Sequence, residues 1–272
     1  TTTNGESGKL FVKGGDSEES QTYIDGSLVY APYSSSAPNM SVRGRFNPFM
    51  FKGTIFSTGG YSAEYGQALS SVLLLNTNDM PAEDQLDLSF MTVGLGVAGT
   101  RLWQTGAVTA SLSYNNLAPY MWVVPQNYNW VEYPSNTEGA VSLRQKTGKT
   151  GMLKLYSSYT SSQYTITQED LNNTGKYNDY NLKNGNYFVN TSWKSNLGDK
   201  WTIALATSFT NNTDDIAYDT LNFNKLLRGI HIKNVMSYPF SSKFTFRFGA
   251  ELFSKTYSQQ YITDANSIGS HF

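Results

Sequence analysis

The chain has 272 residues, enough for one large domain or two modest ones, and its net charge of −1 gives no electrostatic reason to expect a nucleic acid or an acidic substrate as partner. It contains no cysteine, which excludes a disulfide scaffold and thiolate chemistry. Charged residues make up only 15% of the chain, whereas about 25% is usual for soluble domains. No segment approaches the roughly 18 consecutive apolar residues of a membrane helix, so a helical membrane protein is excluded.

Residues 1–82 contain short, irregular predicted strands separated by Gly, Ser and Pro. The strands are expected within "KLFVKGG", "QTYIDGSLV" and "SSVLLLNT". Pro81 and the acidic residues of "DMPAED" (79–84) then interrupt the strand character. We therefore predict a small compact domain over 1–82 and a second domain over 83–272.

The second domain alternates between apolar and small polar residues, the period of a β-strand. In "WTIALATSFT" (201–210) the apolar residues at 201, 203, 205 and 209 share one face. Helical periodicity is almost absent beyond a possible short turn at 63–69. The pattern predicts about eight strands, at 86–98, 106–115, 138–146, 151–162, 186–195, 200–211, 227–238 and 242–257.

The predicted connections alternate between tight turns and long loops, the latter at 116–137, 163–185 and 212–226. This alternation is typical of outer-membrane barrels. Aromatic residues gather toward strand ends, as an interfacial girdle requires: Trp103, Tyr187, Trp193, Trp201, Phe209 and Tyr238. A soluble β-sandwich also alternates, but its surface normally carries more charge. The fold class predicted is all-β, a transmembrane antiparallel β-barrel preceded by a small domain.

Several short motifs fail to define a catalytic or metal site. "TGKTG" (147–151) lacks the first glycine of a phosphate-binding loop, since position 143 is Leu143, and it is predicted to be a hairpin turn. His231 and His271 are 40 positions apart, without cysteine or a carboxylate at ligand spacing. Two acidic groups lack the spacing of a calcium loop and are expected to be solvated: Asp16, Glu18 and Glu19, and Asp214, Asp215 and Asp219. No metal, cofactor or catalytic residue is predicted.

One stretch has a more specific pattern, "FSTGGYSAEYGQALSSVLLLNT" (56–77). It resembles the end of the plug domain of TonB-dependent outer-membrane receptors, where a Gly-x-x-Ser-x-x-Tyr-Gly loop leads into an aliphatic strand that closes on Thr. The loop positions are filled by Gly59 or Gly60, Ser62, Tyr65 and Gly66, and 72–75 is the aliphatic run. Ser70-Ser71 replaces the usual Gly-Gly pair, and the basic residue expected after Thr77 is absent.

Two upstream segments extend the resemblance. "FVKGGD" (11–16) is similar to a plug strand of the family, with Lys13 in place of arginine and Gly14 following it. "YIDG" (23–26) matches the family's Asp-Gly hairpin at Asp25 and Gly26. Together with "RGRFNPFMFKGTIF", the pattern is most similar to receptors of the Bacteroidetes type, including SusC-like relatives.

The resemblance implies a receptor in the outer membrane of a Gram-negative bacterium, surrounded by lipid, that imports a glycan, peptide or metal chelate. Its partners would be the TonB–ExbB–ExbD energy-coupling system, the imported ligand and, if SusC-like, a surface lipoprotein. A plugged barrel has about 22 strands, so the chain would be a fragment, with its last ten residues in a loop. The first barrel connection should lie outside the cell, where the strand count places the short segment 99–105. We therefore expect one miscounted strand near 120–130.

Ligand binding in such a receptor would fall to the plug apex, between Ser27 and Asn47, and to the long barrel loops. Aromatic, amide and cationic side chains there suit stacking and hydrogen bonding to a ligand. The candidate residues are Tyr30, Tyr33, Arg43, Arg45, Trp122, Tyr128 and Trp130. Tyr30, Tyr33 and Arg45 could equally pack the plug against the barrel. Other functions compatible with the sequence are a barrel component without import, a secreted adhesin or glycan-binding module, and, less favoured, a hydrolase.

Overall fold

The computed structural model describes residues 9, 12, 19–37, 40, 42–124, 128–170, 174–263 and 266–271, with only the backbone from residue 263 onward. Four strands form a first sheet, called the small sheet, in the order β2-β1-β4-β3. They are β1 Ser20–Ile24, β2 Ser27–Val29, β3 Phe51–Ser57 and β4 Ser71–Thr77. β1 and β4 run parallel, and the other pairs are antiparallel. Short 3₁₀ helices span Pro48–Met50 and Ala63–Tyr65.

The apolar run of β4 is explained by burial on both faces. Val72 and Leu74 pack with Tyr23 on one side of the small sheet. Leu75 packs against the cluster of Ile24 on the other side. A strand that is covered on both faces carries consecutive aliphatic residues instead of alternating ones. This strand therefore supplies part of the core of the small sheet, as predicted.

Ten further strands form a second sheet, called the large sheet, in which each strand is antiparallel to the next in chain order. They are β5 Gln85–Met91, β6 Gly94–Trp103, β7 Gly106–Asn116, β8 Asn129–Thr147, β9 Gly151–Glu169, β10 Tyr177–Leu197, β11 Trp201–Tyr218, β12 Leu221–Pro239, β13 Thr245–Thr263 and β14 Asn266–His271. One helix, α1 Ala118–Val123, lies between β7 and β8. Within the described residues, no helix has the length and apolarity needed to cross a membrane.

The predicted strand count of eight was too low because 86–98 is two strands and 266–271 is a further one. β5 and β6 are joined by a two-residue turn at Thr92 and Val93, neither of which has positive φ. The turn therefore lacks the Asn-Gly or Asp-Gly signal of most two-residue hairpins. The extra strand expected near 120–130 was wrong, since α1 and the start of β8 occupy the described part of that segment. The first connection is therefore the two-residue turn at 92–93, at the end of the sheet opposite the start of β5, and not the segment 99–105.

The predicted long loops are largely strand. β9 continues to Glu169, β10 begins at Tyr177, and a two-residue turn at 219–220 joins β11 to β12. The six strands β8 to β13 have 18 to 21 residues, whereas about 9 to 11 residues cross a bilayer. Sheet pairing therefore continues beyond the apolar section of the outer face. The outer face is mostly polar there, while the inner face keeps buried apolar residues such as Tyr164, Leu182 and Ile216. The segment 266–271 is also a strand, contrary to the loop expected there.

The large sheet has an apolar outer face and a polar inner face. In β11 the side chain of Leu205 is 39% exposed, whereas Ser208 and Thr210 are buried against the small sheet. Trp201 and Phe209 bound the apolar section of β11, about 27 Å apart along the strand at ~3.4 Å per residue. That length is close to the apolar band of about 25 Å of outer-membrane barrels. A soluble sandwich would bury the apolar face, so the all-β membrane-barrel prediction is confirmed.

Candidate ligand-binding cavity beside the small sheet

The edge strand β2 is attached to the large sheet through its backbone. The Leu28 N–H donates to Nδ1 of His231 at 2.9 Å, and the Ser208 hydroxyl donates to the Leu28 carbonyl oxygen at 2.6 Å. Asn190 likewise donates to the Ile24 carbonyl oxygen at 3.0 Å. Side chains of the large sheet therefore satisfy the edge that would otherwise need a further strand.

Tyr30 follows β2 and lies flat against the large sheet. Its hydroxyl donates to the Ile230 carbonyl oxygen at 3.1 Å. Its ring covers Gly229, where an added Cβ would come within 2.1 Å of the ring. Glycine is thus needed at 229 for close approach of the tyrosine and not for an unusual backbone angle.

The glycine-tyrosine loop before β4 meets the large sheet at a buried lysine. Lys233 donates to the Glu64 carbonyl oxygen at 2.6 Å and forms an ion pair with Glu251 at 2.7 Å. Its ammonium lies 4.5 Å from the centre of the Tyr65 ring, which packs edge-on against Tyr23. The motif tyrosine therefore supplies a cation–π surface at this contact.

The other glycines of the motif have different roles. Gly60 has a φ of +67°, which favours glycine, whereas Gly66 has a φ of −63° that any residue can adopt. Asp25 and Gly26 form the two-residue turn between β1 and β2, with φ of 45° and 88°. Gly14 lies outside the described residues. A positive φ therefore explains the motif residues Gly60, Asp25 and Gly26. The backbone conformation of Gly66 does not require glycine.

The Asp-Gly turn and the closing threonine of β4 meet at one point. The Asp25 carboxylate accepts hydrogen bonds from the backbone and the hydroxyl of Thr77. Lys154 of β9 donates to the Thr77 carbonyl oxygen at 3.0 Å and lies 3.8 Å from Asp25. The Asp-Gly turn and the threonine at the end of β4, about fifty positions apart in the sequence, thus bind each other in the small sheet and attach it to the large one.

Arg45 lies in a pocket of neutral amides. Its guanidinium donates to Asn184 at 2.7 Å, to Asn212 at 2.9 Å and to Thr160 at 3.3 Å. The side chain is buried, and burial lowers the pKa of Arg45 to about 10, opposed by the carboxylate of Asp214. Arg45 therefore remains positively charged at neutral pH.

Two open cavities lie along the inner face of the large sheet. The lower cavity, next to the small sheet, has a volume of about 770 Å³ and the upper cavity about 950 Å³. Tyr180, Ile216 and Lys225 line both, so the cavities are neighbours. Each volume is in the range of small-molecule sites. The upper cavity also lies against the 219–220 turn, at the end of the sheet opposite the start of β5.

The structure brings together only some of the predicted ligand-binding residues. Tyr30, Tyr33 and Arg45 line the lower cavity, and Tyr128 lines the upper one. Three other predicted residues line neither cavity: Arg43, Trp122 and Trp130. Arg43 is exposed, and its backbone pairs with that of Ser34.

The two predicted tryptophans lie in contrasting surroundings. Trp122 is 74% exposed on α1. Trp130 packs on Tyr164 with ring centres 5.8 Å apart, in the cluster that also contains Ala37. Trp130 therefore helps to hold the segment after β2. Packing of this kind is the alternative to ligand binding that the sequence left open for Tyr30, Tyr33 and Arg45.

Sequence reasoning missed the contribution of the large sheet to the cavities. Asn212, Asp214, Lys225 and Tyr257 line the lower cavity from β11, β12 and β13. A signal was available in "NLKNGNYFVN" (181–190), where amides recur with period two. Buried amides on one strand face indicate an inner surface that binds polar groups. Among the described residues, no cluster of side chains could hold a metal ion.

Comparisons with known proteins were made on sequence and on structure. No family model and no curated protein matches the chain. The alcaligin outer-membrane receptor FauA of Bordetella pertussis is similar in structure, with a TM-score of 0.52, 11% identity and coverage of 93% of this chain and 49% of the receptor. The ferric yersiniabactin uptake receptor FyuA of Yersinia pestis gives a TM-score of 0.53, 12% identity and coverage of 93% and 51%.

The chain thus spans about half the length of these two receptors. At such low identity the likeness concerns the fold. The architecture described above, a small sheet beside an antiparallel sheet with an apolar outer face, is the fold of part of an outer-membrane receptor barrel.

Proposed function

We propose that the chain is part of a TonB-dependent receptor in the outer membrane of a Gram-negative bacterium. Residues 1–82 act as part of the plug and residues 83–272 as part of the barrel. The receptor binds a nutrient in the cavities and imports it when the energy-coupling system displaces the small sheet. It is a transporter and not an enzyme.

The observation that carries this proposal is how the small sheet is held. The hydrogen bonds that link it to the large sheet involve single side chains, such as those of His231, Ser208 and Asn190. One apolar cluster, which includes Ile24 and Phe188, also joins the two sheets. Each of these hydrogen bonds contributes about 1 kcal/mol net, and water can replace it when the sheet moves. Continuous strand pairing between the two sheets would resist displacement far more strongly.

The experiment uses a reversible lock between the two sheets in the full-length protein. The Ser35 hydroxyl donates to the Asp214 carboxylate at 2.6 Å, so the two side chains face each other across the interface. Ser35→Cys with Asp214→Cys is the lock, and mass spectrometry without reductant first verifies that the disulfide has formed. The sequence has no cysteine of its own, so the two introduced thiols have no other thiol in these residues with which to pair. We expect nutrient-dependent growth to be lost when the lock is oxidised and restored by a reductant. The single-cysteine variants serve as controls.

The proposal has two clear points of failure. A full-length protein that remains soluble, without a heat-dependent shift in gel migration, would favour the secreted adhesin. A membrane protein whose growth phenotype is unchanged by the oxidised lock would favour a barrel component without import.

A further inference from the structure

The lower cavity has an excess of positive charge. The charged residues lining it are Lys9, Arg45, Lys225 and Lys255, against the carboxylate of Asp214. The upper cavity has the opposite balance, with Glu169, Asp170 and Asp219 against Lys225. Cations therefore concentrate at the end of the cavity system next to the small sheet.

Two of these charged side chains, those of Arg45 and Asp214, form hydrogen bonds with other residues of the protein. Arg45 donates to Asn184, Asn212 and Thr160. The Asp214 carboxylate accepts from Ser35 and from Asn184, both at 2.6 Å. The charge of Asp214 also acts on Arg45, and among the described residues Asp214 forms no ion pair with a lysine.

Lys9 also has an interaction within the protein, so Lys225 and Lys255 are the cations that remain. They lie on the inner face of β12 and β13, where Lys225 is opposite Asp214 and Lys255 is opposite Gly229 in the strand register. Across the described part of the chain, neither lysine forms an ion pair or a side-chain hydrogen bond. Two other inner-facing lysines are paired, Lys154 with the Thr77 carbonyl oxygen and Lys233 with Glu251.

We propose that the lower cavity binds an anionic group of the ligand, a carboxylate or a phosphate, against the ammonium groups of Lys225 and Lys255. Tyr30, Tyr33 and Tyr257 line the same cavity and supply flat surfaces for the body of the ligand. This inference rests on the proposed function and narrows it to ligands that carry negative charge.

The test measures lysine acylation in the detergent-solubilised full-length protein by mass spectrometry. Citrate and tripolyphosphate are the two anionic probes, each compared with sodium chloride at equal ionic strength and with the neutral ester triethyl citrate. We expect either anion to slow acylation of Lys225 and Lys255 by about tenfold and to leave Lys243, in an exposed turn, unchanged. Protection by citrate alone identifies a carboxylate site, and protection by tripolyphosphate alone a phosphate site.

Variants give a second measurement that does not depend on acylation. Lys225→Gln with Lys255→Gln should weaken binding of the protective anion by about tenfold or more in calorimetry. Lys225→Arg with Lys255→Arg should retain binding, and Lys243→Gln should have no effect.

The inference is overturned if neither anion protects the two lysines more than sodium chloride does. A protein with normal heat-shifted migration and lock-sensitive growth, but without this protection, would retain the proposed function and lose the anion site. Loss of the heat-dependent shift would overturn the proposed function and this inference together.

Discussion

Strands β1, β2 and β4 of the small sheet bury aliphatic side chains, whereas the large sheet exposes those of its outer face. Ile24 and Val72 are fully buried, while Leu205 and Ile232 are 39% and 48% exposed. Both sheets use the same two-residue period, so the difference reflects what each face contacts. The outer face of a membrane barrel meets lipid. The inner face meets backbone groups of the small sheet, as at Leu28, and one apolar cluster around Ile24. The polarity of the side chains on each face therefore depends on what that face contacts.

The largest effect should come from the apolar cluster in which the small sheet packs on Tyr156 and Phe188 of the large sheet. Ile24→Ala removes a fully buried side chain from a cluster that includes Val29 and Met50, with an expected cost of about 2–5 kcal/mol. Faster amide hydrogen exchange in β1 and β4 of the full-length protein would report it. Ile55→Ala, at a residue 56% exposed, is the control and should change exchange little. Similar effects of both variants would contradict the contrast between the two sheets.

The outer face of the large sheet should reject charge only within its apolar band. Leu205 lies midway between Trp201 and Phe209 on β11, and Leu205→Lys should destabilise the barrel by about 2–4 kcal/mol. Asn224→Lys, at an exposed position of β12 beyond the band, should cost less than about 1 kcal/mol. Equilibrium unfolding in lipid vesicles measures both. Equal costs at the two positions would contradict the assignment of a lipid-facing band.

The contact between the sheets can be tested at Gly229. Gly229→Ala places a Cβ inside the Tyr30 ring, so we expect a loss of about 1–3 kcal/mol from overpacking. Adding Tyr30→Ala should recover most of that loss, because the clash partner is gone. Gly139→Ala in β8 meets its nearest neighbour at an ordinary 3.8 Å and should be tolerated. Protease susceptibility of the small sheet is the measurement, and an absence of rescue would show that Tyr30 does not set the requirement for glycine.

The smallest effect concerns acid. Hydrogen bonds from Lys52 lower the pKa of Asp79, with Lys154 as a second cation nearby. A carboxyl whose pKa is lower in the folded state stabilises the fold above its unfolded pKa of about 3.9, and this contribution disappears as pH falls through the folded value. Asp79→Asn should therefore cost less than about 1 kcal/mol at pH 6 and nothing in stronger acid. Asp87→Asn, an exposed residue of β5, is the control in the same pH series of unfolding curves.

Much of the fold could be predicted from local patterns. The alternation in 201–210 indicated a two-faced strand, and Asp25-Gly26 indicated a hairpin, because both depend on neighbours within a few residues. The turn at Thr92 and Val93 could not be predicted, since neither residue has positive φ. The upper halves of β9 to β12 were assigned to loops because the apolar residues of the outer face end there, although the inner face still carries Tyr164, Leu182 and Ile216.

The candidate site was predicted less completely than the fold. Tyr30, Tyr33 and Arg45 line the lower cavity as expected for an apex, but the role of each in ligand binding stays a prediction. The amides around Arg45 come from β10 and β11, more than a hundred positions away. Contacts between residues so far apart in the sequence cannot be predicted from a local pattern.

The sequence by itself determined the two-faced strands, the division of character near 79–84 and the absence of helical membrane spans, because residue period and composition are local properties. Only the tertiary structure decided which face is turned outward, which lysines remain without partners, and where the small sheet meets the large one. Those features depend on the strand register and on contacts between residues far apart in the chain, such as Leu28 with His231. Packing in three dimensions sets both, and a single sequence does not encode them in any short segment.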